Sequence, residues 1–344
     1  MKSAPKISSS YFYNEFHGHK ISHLEALLPE LRGSSKAIIW TAGDSSLDNK
    51  YWFRDRALSV GTYRTVLEPP VSVCDVTYWL HALGTPAGMA AINAAVEAST
   101  LNERTFRLRP QDEFIRDHLS SDDILIVSVG GNDVALMPLP CTICSILSLL
   151  NMPTTCVEQS CSCGTCPFDD ACCGCGPSLA SCACAFPPCM GYVRHLFGTR
   201  TERYIQALTR FTKPKKILVC MIYYPDEAKT PSWAGRSLGA LRYNSNPAKL
   251  QLMIRKVFEQ ATSQIRIPGT EVVPVPLFLV LDGKCTEDYV ARVEPSAVGG
   301  KKMAELLLDI IQRPVAASSG NSHVTTSSLP LVSAPVTSYI QDRS

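Results

Sequence analysis

Three groups of residues in this 344-residue chain are of types that can do chemistry. Gly43-Asp44-Ser45 stands at the end of an apolar run. Glycine permits a tight exit from a strand, and a serine just beyond it can face a cleft from the start of a helix, where free N–H groups favour developing negative charge. A serine that merely caps a helix accounts for the same residues. Gly130-Gly131-Asn132-Asp133 is the second group. Asn132 can aim a side-chain N–H at an oxyanion, or Asn and Asp can simply form a glycine turn. The third group is a cysteine cluster: 12 of the 15 cysteines lie between Cys141 and Cys189. Two C-x₂-C pairs, Cys141/Cys144 and Cys163/Cys166, have spacing that suits a structural zinc. No histidine lies inside the cluster, and disulfides or acylation of Cys141 and Cys144 are open alternatives. Cys74, Cys220 and Cys285 read as small apolar packing residues.

The elements that must position these groups are legible as runs. Lys36–Gly43, Asp123–Val129, Lys216–Ile222 and Val272–Leu281 are near-continuous apolar stretches, as expected of strands covered on both faces. Pro274 and Pro276 make the last an edge or irregular strand, and Met89–Val96 is a weaker fifth. Helical patterns fall between them, over Glu97–Leu119, His195–Phe211, Ala248–Ile265 and Ala297–Ile311. Alternating strands and helices predict an α/β fold, a three-layer α/β/α sandwich with a mainly parallel five-stranded sheet of flavodoxin-like type. Ligands in such sheets bind at the carboxyl ends of the strands. Ser45 and Asn132 both stand there, which predicts one shared site.

The order and spacing of these residues resemble the GDSL/SGNH hydrolase superfamily of esterases, lipases and acyl hydrolases, over about residues 35–312. The resemblance makes Ser45 the nucleophile and Asn132 the side-chain oxyanion donor. It aligns Asn93–Thr100 with a block whose glycine supplies a backbone N–H to the oxyanion hole; Ala98 stands at that position and keeps the N–H. The last block of the family carries an aspartate and, three residues on, a histidine followed by proline. Pro295, Ser296 and Gly299 fit, but Glu294 replaces the histidine and Ala291 the aspartate.

Histidine would take the serine proton while aspartate orients it and stabilises the imidazolium. Glutamate has a reference pKa about two units lower, which makes it a poorer base by up to about a hundredfold unless burial raises it. A carboxylate becomes neutral on protonation and leaves no cation for an aspartate to stabilise. Joint loss of both residues is coherent for a Ser45–Glu294 dyad, and equally for a site that has ceased to turn over. His17, His19, His23, His81, His118, His195, His323, Asp282 and Asp288 are the other groups that could reach the site. Arg292 could pair with Glu294 and lower its pKa. Tyr223–Glu227, Trp233, Arg242 and Tyr243 stand where they could line a pocket.

Residues 1–34 read as a leader ending in a short helix over Ile21–Arg32. Residues 35–314 form the hydrolase-like domain, interrupted by a Cys-rich insertion at 138–190 that could act as a lid. Residues 315–344, rich in Ser, Thr and Pro, read as a disordered tail. A net charge of +2 gives no footprint for nucleic acid. No apolar run suggests a transmembrane segment, and no secretory signal is visible, which favours a cytoplasmic location. The expected partner is a small acyl-ester substrate, acted on without a cofactor beyond the possible structural zinc; the oligomeric state is not readable. Three functions fit: an ester hydrolase, a ligand-binding relative that has lost turnover, and an interaction module working through the insertion.

Overall fold

The computed structural model describes residues 6–313 apart from Glu15, Phe53, Ser160, 163–184 and 187–188. Five parallel strands form its central sheet: β1 (Ala37–Gly43), β2 (Met89–Asn93), β3 (Ile124–Ser128), β4 (Lys216–Met221) and β5 (Glu271–Pro276). Their order is β5-β4-β3-β1-β2, the doubly wound arrangement whose switch point lies between β1 and β3. The apolar runs fall where both faces must be covered. Ile38, Trp40 and Ala42 of β1 join one core, and Ile39 joins the other. On the first face pack α1 (Ile21–Ser34), α3 (Pro110–His118), α6 (Thr201–Leu208) and α7 (Pro247–Gln260). On the second pack α2 (Val76–Gly84) and α8 (Ala297–Gln312). The result is the three-layer α/β/α sandwich.

β5 is an edge strand, as its prolines require: Pro274 and Pro276 pair only with β4, opposite Val219 and Met221. It ends at Pro276, where a 3₁₀ turn over Leu277–Leu279 takes over. Three helical spans differ from the sequence reading. The pattern over 97–119 yields a helix only from Pro110, because Ser99–Thr105 are held in turns by buried side chains described below. The segment from His195 begins at Met190 and is π-helical over His195–Arg200. α2 carries no expectation in the sequence reading, although Asp75 caps it by accepting from Tyr78 N at 2.7 Å.

α1 belongs to the packed layers. Leu24, Leu27 and Leu31 have no exposed surface, each contributing about 2 kcal/mol of burial. The start of the 138–190 segment is likewise ordered. α4 (Gly131–Ala135) leads into α5 (Pro140–Asn151), whose Ile146, Leu149 and Leu150 join the first core. Among the described residues no helix is long and apolar enough to cross a membrane.

Candidate active site

β1 delivers the Gly43-Asp44-Ser45 triplet to the carboxyl edge of the sheet, against β3. Gly43 has φ +138°, and a Cβ there would stand 1.8 Å from the Ser128 carbonyl oxygen. No other residue lets the two strand ends approach so closely. Asp44 N then donates to Ser128 O at 3.1 Å, and Leu47 N and Asp48 N both donate to Asp44 O at 3.1 and 3.0 Å. This is one closed turn. No helix follows it, so Ser45 is presented by a turn and not, as the sequence suggested, by a helix start. Asp44 Oδ1 accepts from Ser46 N at 3.1 Å and Ser46 Oγ at 2.7 Å, and Ser46 Oγ lies within hydrogen-bond distance of Ser128 Oγ at 2.6 Å. Ser46 is therefore structural, and Ser45 is left to face the cleft.

Asn132 and Asp133 hold the turn after β2. Asn132 Nδ2 donates to Ser99 O at 3.0 Å. Asp133 accepts from Leu101 N at 2.8 Å and Asn102 N at 3.0 Å. Ala98 lies in the left-handed region, φ +57°, the conformation that favours glycine. It is the third residue of a turn closed by Ser99 N on Val96 O at 3.3 Å. The position thus asks for a glycine backbone and accommodates alanine at a cost of about 1 kcal/mol. Ala98 does not line the cavity beside Ser45.

Arg104 unites these pieces and carried no signal of its own in the sequence. Its Nη2 donates to Gly43 O at 3.1 Å, its Nη1 to Ser99 Oγ at 2.8 Å and Thr100 O at 3.1 Å, and its Nε to Asp112 Oδ2 at 2.9 Å. Asp112 is completed by Tyr204 Oη at 2.6 Å. The buried guanidinium has paired geometry on every side, and fixes the end of β1 to the turn after β2.

Glu294 arrives from the far end of the sequence. β6 (Tyr289–Val290) and β7 (Glu294–Pro295) form a short antiparallel hairpin whose turn residues Ala291 and Arg292 have φ +47° and +69°. Three contacts hold it in place. Asn49 Nδ2 donates to Pro295 O at 2.9 Å while Asn49 Oδ1 accepts from Val76 N at 3.2 Å. Tyr223 Oη donates to Val293 O at 2.7 Å. Ser296 caps α8, with Gly299 N on its Oγ at 3.1 Å. Gly299 is required there, since a Cβ would meet Asp288 O at 2.1 Å. Asn49 and Tyr223 are therefore positioning residues for this corner.

Glu294 is only 1% exposed. Burial raises its pKa to about 8; hydrogen bonding by Ser45 opposes the shift, and the charges of Asp44, Glu97 and Asp48 add to it. Glu294 Oε2 has no hydrogen-bond partner among the described residues. Burial also lifts Asp44 to about 6, opposed by its Ser46 bonds. The Arg292 pairing does not occur. Its guanidinium turns away to Asp226 O at 2.9 Å and Asn244 Oδ1 at 2.8 Å. At Ala291, only the backbone is engaged, its carbonyl accepting from Ser232 Oγ.

Ser45, Asn132 and Glu294 share a cavity of about 110 Å³. Tyr223, Pro225 and Trp233 line it as the sequence suggested, while Arg242 and Tyr243 do not. Of the described histidines none lines it. His19 is locked on Phe12 O at 2.8 Å, His81 on Val60 O at 3.2 Å and His118 on Phe114 O at 2.9 Å. His323 lies outside the described residues. Asp288 is paired with Lys302 at 2.7 Å and Asp282 accepts from Lys284 N at 3.0 Å; neither reaches the cavity. Among its described residues, the 138–190 segment contributes nothing to the cavity wall.

Cys141 and Cys144 lie three apart on α5, partly buried and exposed respectively. Cys163 and Cys166 lie outside the described residues. Among the described residues no group of three or more His, Cys, Asp or Glu could hold a metal ion.

No protein-family profile matches the chain, and no curated protein matches it in sequence. Solved structures similar to it include an acetyl xylan esterase from Geobacillus stearothermophilus, at 15% identity and TM-score 0.39, covering 83% of this chain and 99% of that one. An extracellular lipase from Streptomyces rimosus is similar at 13% identity and TM-score 0.37, covering 79% and 99%. A carbohydrate acetylesterase from Sinorhizobium meliloti gives 13% identity and TM-score 0.38, covering 80% and 98%. Overlaps of this size leave the chemistry to be read from the residues of this cavity.

Proposed function

We propose that this chain is an ester hydrolase of the SGNH type, with Ser45 as nucleophile and Glu294 as its proton acceptor. One observation carries the reading: a buried glutamate, with one oxygen unpartnered, faces the serine of a Gly-Asp-Ser turn in the same cavity as Asn132. Burial supplies the basicity that glutamate otherwise lacks, so the loss of the histidine is compensated by the surroundings of its replacement.

In this scheme Ser45 Oγ attacks the acyl carbon and its proton passes to Glu294. The carbonyl oxygen becomes an oxyanion held by the second N–H of Asn132, the first being spent on Ser99 O; Ala98, outside the cavity lining, serves the turn that carries Ser99. The C–O bond to the alcohol breaks, and the leaving oxygen takes the proton from Glu294. Water then attacks the acyl-serine, Glu294 accepting its proton and returning it to Ser45 as the carboxylic acid departs. Protonated Glu294 is neutral, so the scheme needs no aspartate at position 291.

Covalent labelling by a fluorophosphonate tests it. Labelling of Ser45, lost in Ser45→Ala and slowed in Glu294→Gln, is the expected result. Absence of labelling, with tight binding of a small acyl ligand, would make the cavity a binding site without turnover.

A further inference from the structure

We propose that the cavity beside Ser45 receives the acyl chain of a neutral, short aliphatic ester, with its optimum near four carbons. The inference deepens the hydrolase reading and rests on it. Ser45, Asn132 and Glu294 line the cavity with Asp44 and Ser46; the remainder is largely apolar and includes Val134, Ala135, Ile222, Leu241, Leu250 and Ile254. Val134 and Ala135 follow Asn132 on α4, so the apolar wall begins on the side where the carbonyl oxygen is held. The chain attached to the carbonyl carbon meets that wall. The alcohol lies towards Glu294, which returns its proton.

Charge narrows the class. No lysine, arginine or histidine is among the described residues lining the cavity, and two carboxyl groups, Asp44 and Glu294, are. An acyl chain bearing a carboxylate or phosphate would be buried against like charge without a partner, which is unfavourable. Volume narrows it further. A dry apolar cavity of about 150 Å³ holds the six carbons of benzene; the 110 Å³ here holds about four by proportion.

The test measures kcat/KM of the full chain on two ester series, p-nitrophenyl esters of acids from acetate to decanoate and acetates of alcohols from methyl to octyl. The expected profile rises about fourfold per methylene from acetyl to butanoyl, falls beyond hexanoyl, and is nearly flat in the alcohol. Ile254→Ala moves the optimum about two carbons longer, and Ala135→Leu moves it to acetyl. Calorimetry of Ser45→Ala with methyl esters gives a readout independent of turnover, and methyl butanoate binds tightest. Hydrolysis with a profile flat in the acid, still rising at decanoyl, or following the alcohol overturns the acyl assignment and leaves the hydrolase reading standing. No hydrolysis by the wild type, with a four-carbon optimum in Ser45→Ala binding, overturns the hydrolase reading and keeps the cavity's assignment to the acyl chain.

Discussion

Two buried carboxylates sit at opposite ends of the same sheet. Asp123, at the amino end of β3, has no exposed surface and is fully engaged: it accepts from Ile38 N at 3.0 Å, Trp40 Nε1 and Ser120 N at 2.9 Å, and pairs with Arg32. Glu294, at the carboxyl end, is as deeply buried yet leaves one oxygen unpartnered, feels the charges of Asp44, Glu97 and Asp48, and has no ion-pair partner among the described residues, the nearby Lys50 being paired with Asp48. Asp123 closes a structure; Glu294 is held in surroundings that oppose its charge. Groups of the second kind cluster where proton transfer takes place.

The contrast is most sharply broken by mutation of each end. Glu294→Gln, like Ser45→Ala, should lower kcat/KM on a butanoate ester by about 10⁴-fold, with the fold intact by circular dichroism. Asp123→Ala should leave kcat per folded molecule unchanged while lowering unfolding free energy by about 3 kcal/mol, read by urea denaturation, since Trp40 Nε1 and Ile38 N lose their acceptor.

pH should separate the two ends again. Glu294 has its folded pKa raised from 4.5 to about 8. Between those values the folded state keeps a proton that the unfolded chain releases, so its contribution to stability falls as pH rises, by up to about 1.4 kcal/mol per pH unit, and is constant above 8. Glu294→Gln does not titrate, and its stability should gain on the wild type across that window in pH-dependent denaturation. Hydrolysis runs the other way. In the proposed scheme the ionised carboxylate accepts the proton, so kcat/KM should climb as pH rises through about 8. A profile already flat from pH 6 would dismiss Glu294 as the base.

Smaller effects probe the frame. Asn49→Ala should lower kcat about tenfold with KM little changed, because the hairpin carrying Glu294 loses its tie to the Ser45 loop. Ala98→Gly should raise unfolding free energy by up to about 1 kcal/mol by relieving its left-handed backbone, measurable as a shift in the denaturation midpoint.

Much of the sheet was legible because strands buried on both faces leave uninterrupted apolar runs. Ser45, Asn132 and Glu294 were legible through glycine and proline neighbours whose roles the structure bears out in geometry: Gly43 and Gly299 stand where any Cβ would strike a carbonyl. Arg104 was not, since an arginine in a polar stretch announces nothing about a partner 61 residues away. The span 97–109 was misread as helix, although Pro110 at the first helical position marked the true start. α2 was missed despite Asp75 at its cap and Gly84 at its end. Asn49 depends on a contact across 246 residues, which no local pattern encodes.

That contact also dates the site within the life of the chain. The Ser45 turn is made early in synthesis, but the hairpin it is tied to is among the last parts of the folded unit to be made. A nascent chain therefore carries Ser45 before Glu294, and brings the two together only when the final hairpin and α8 dock. Fragments that end before Tyr289 should be silent towards esters however well their sheet forms.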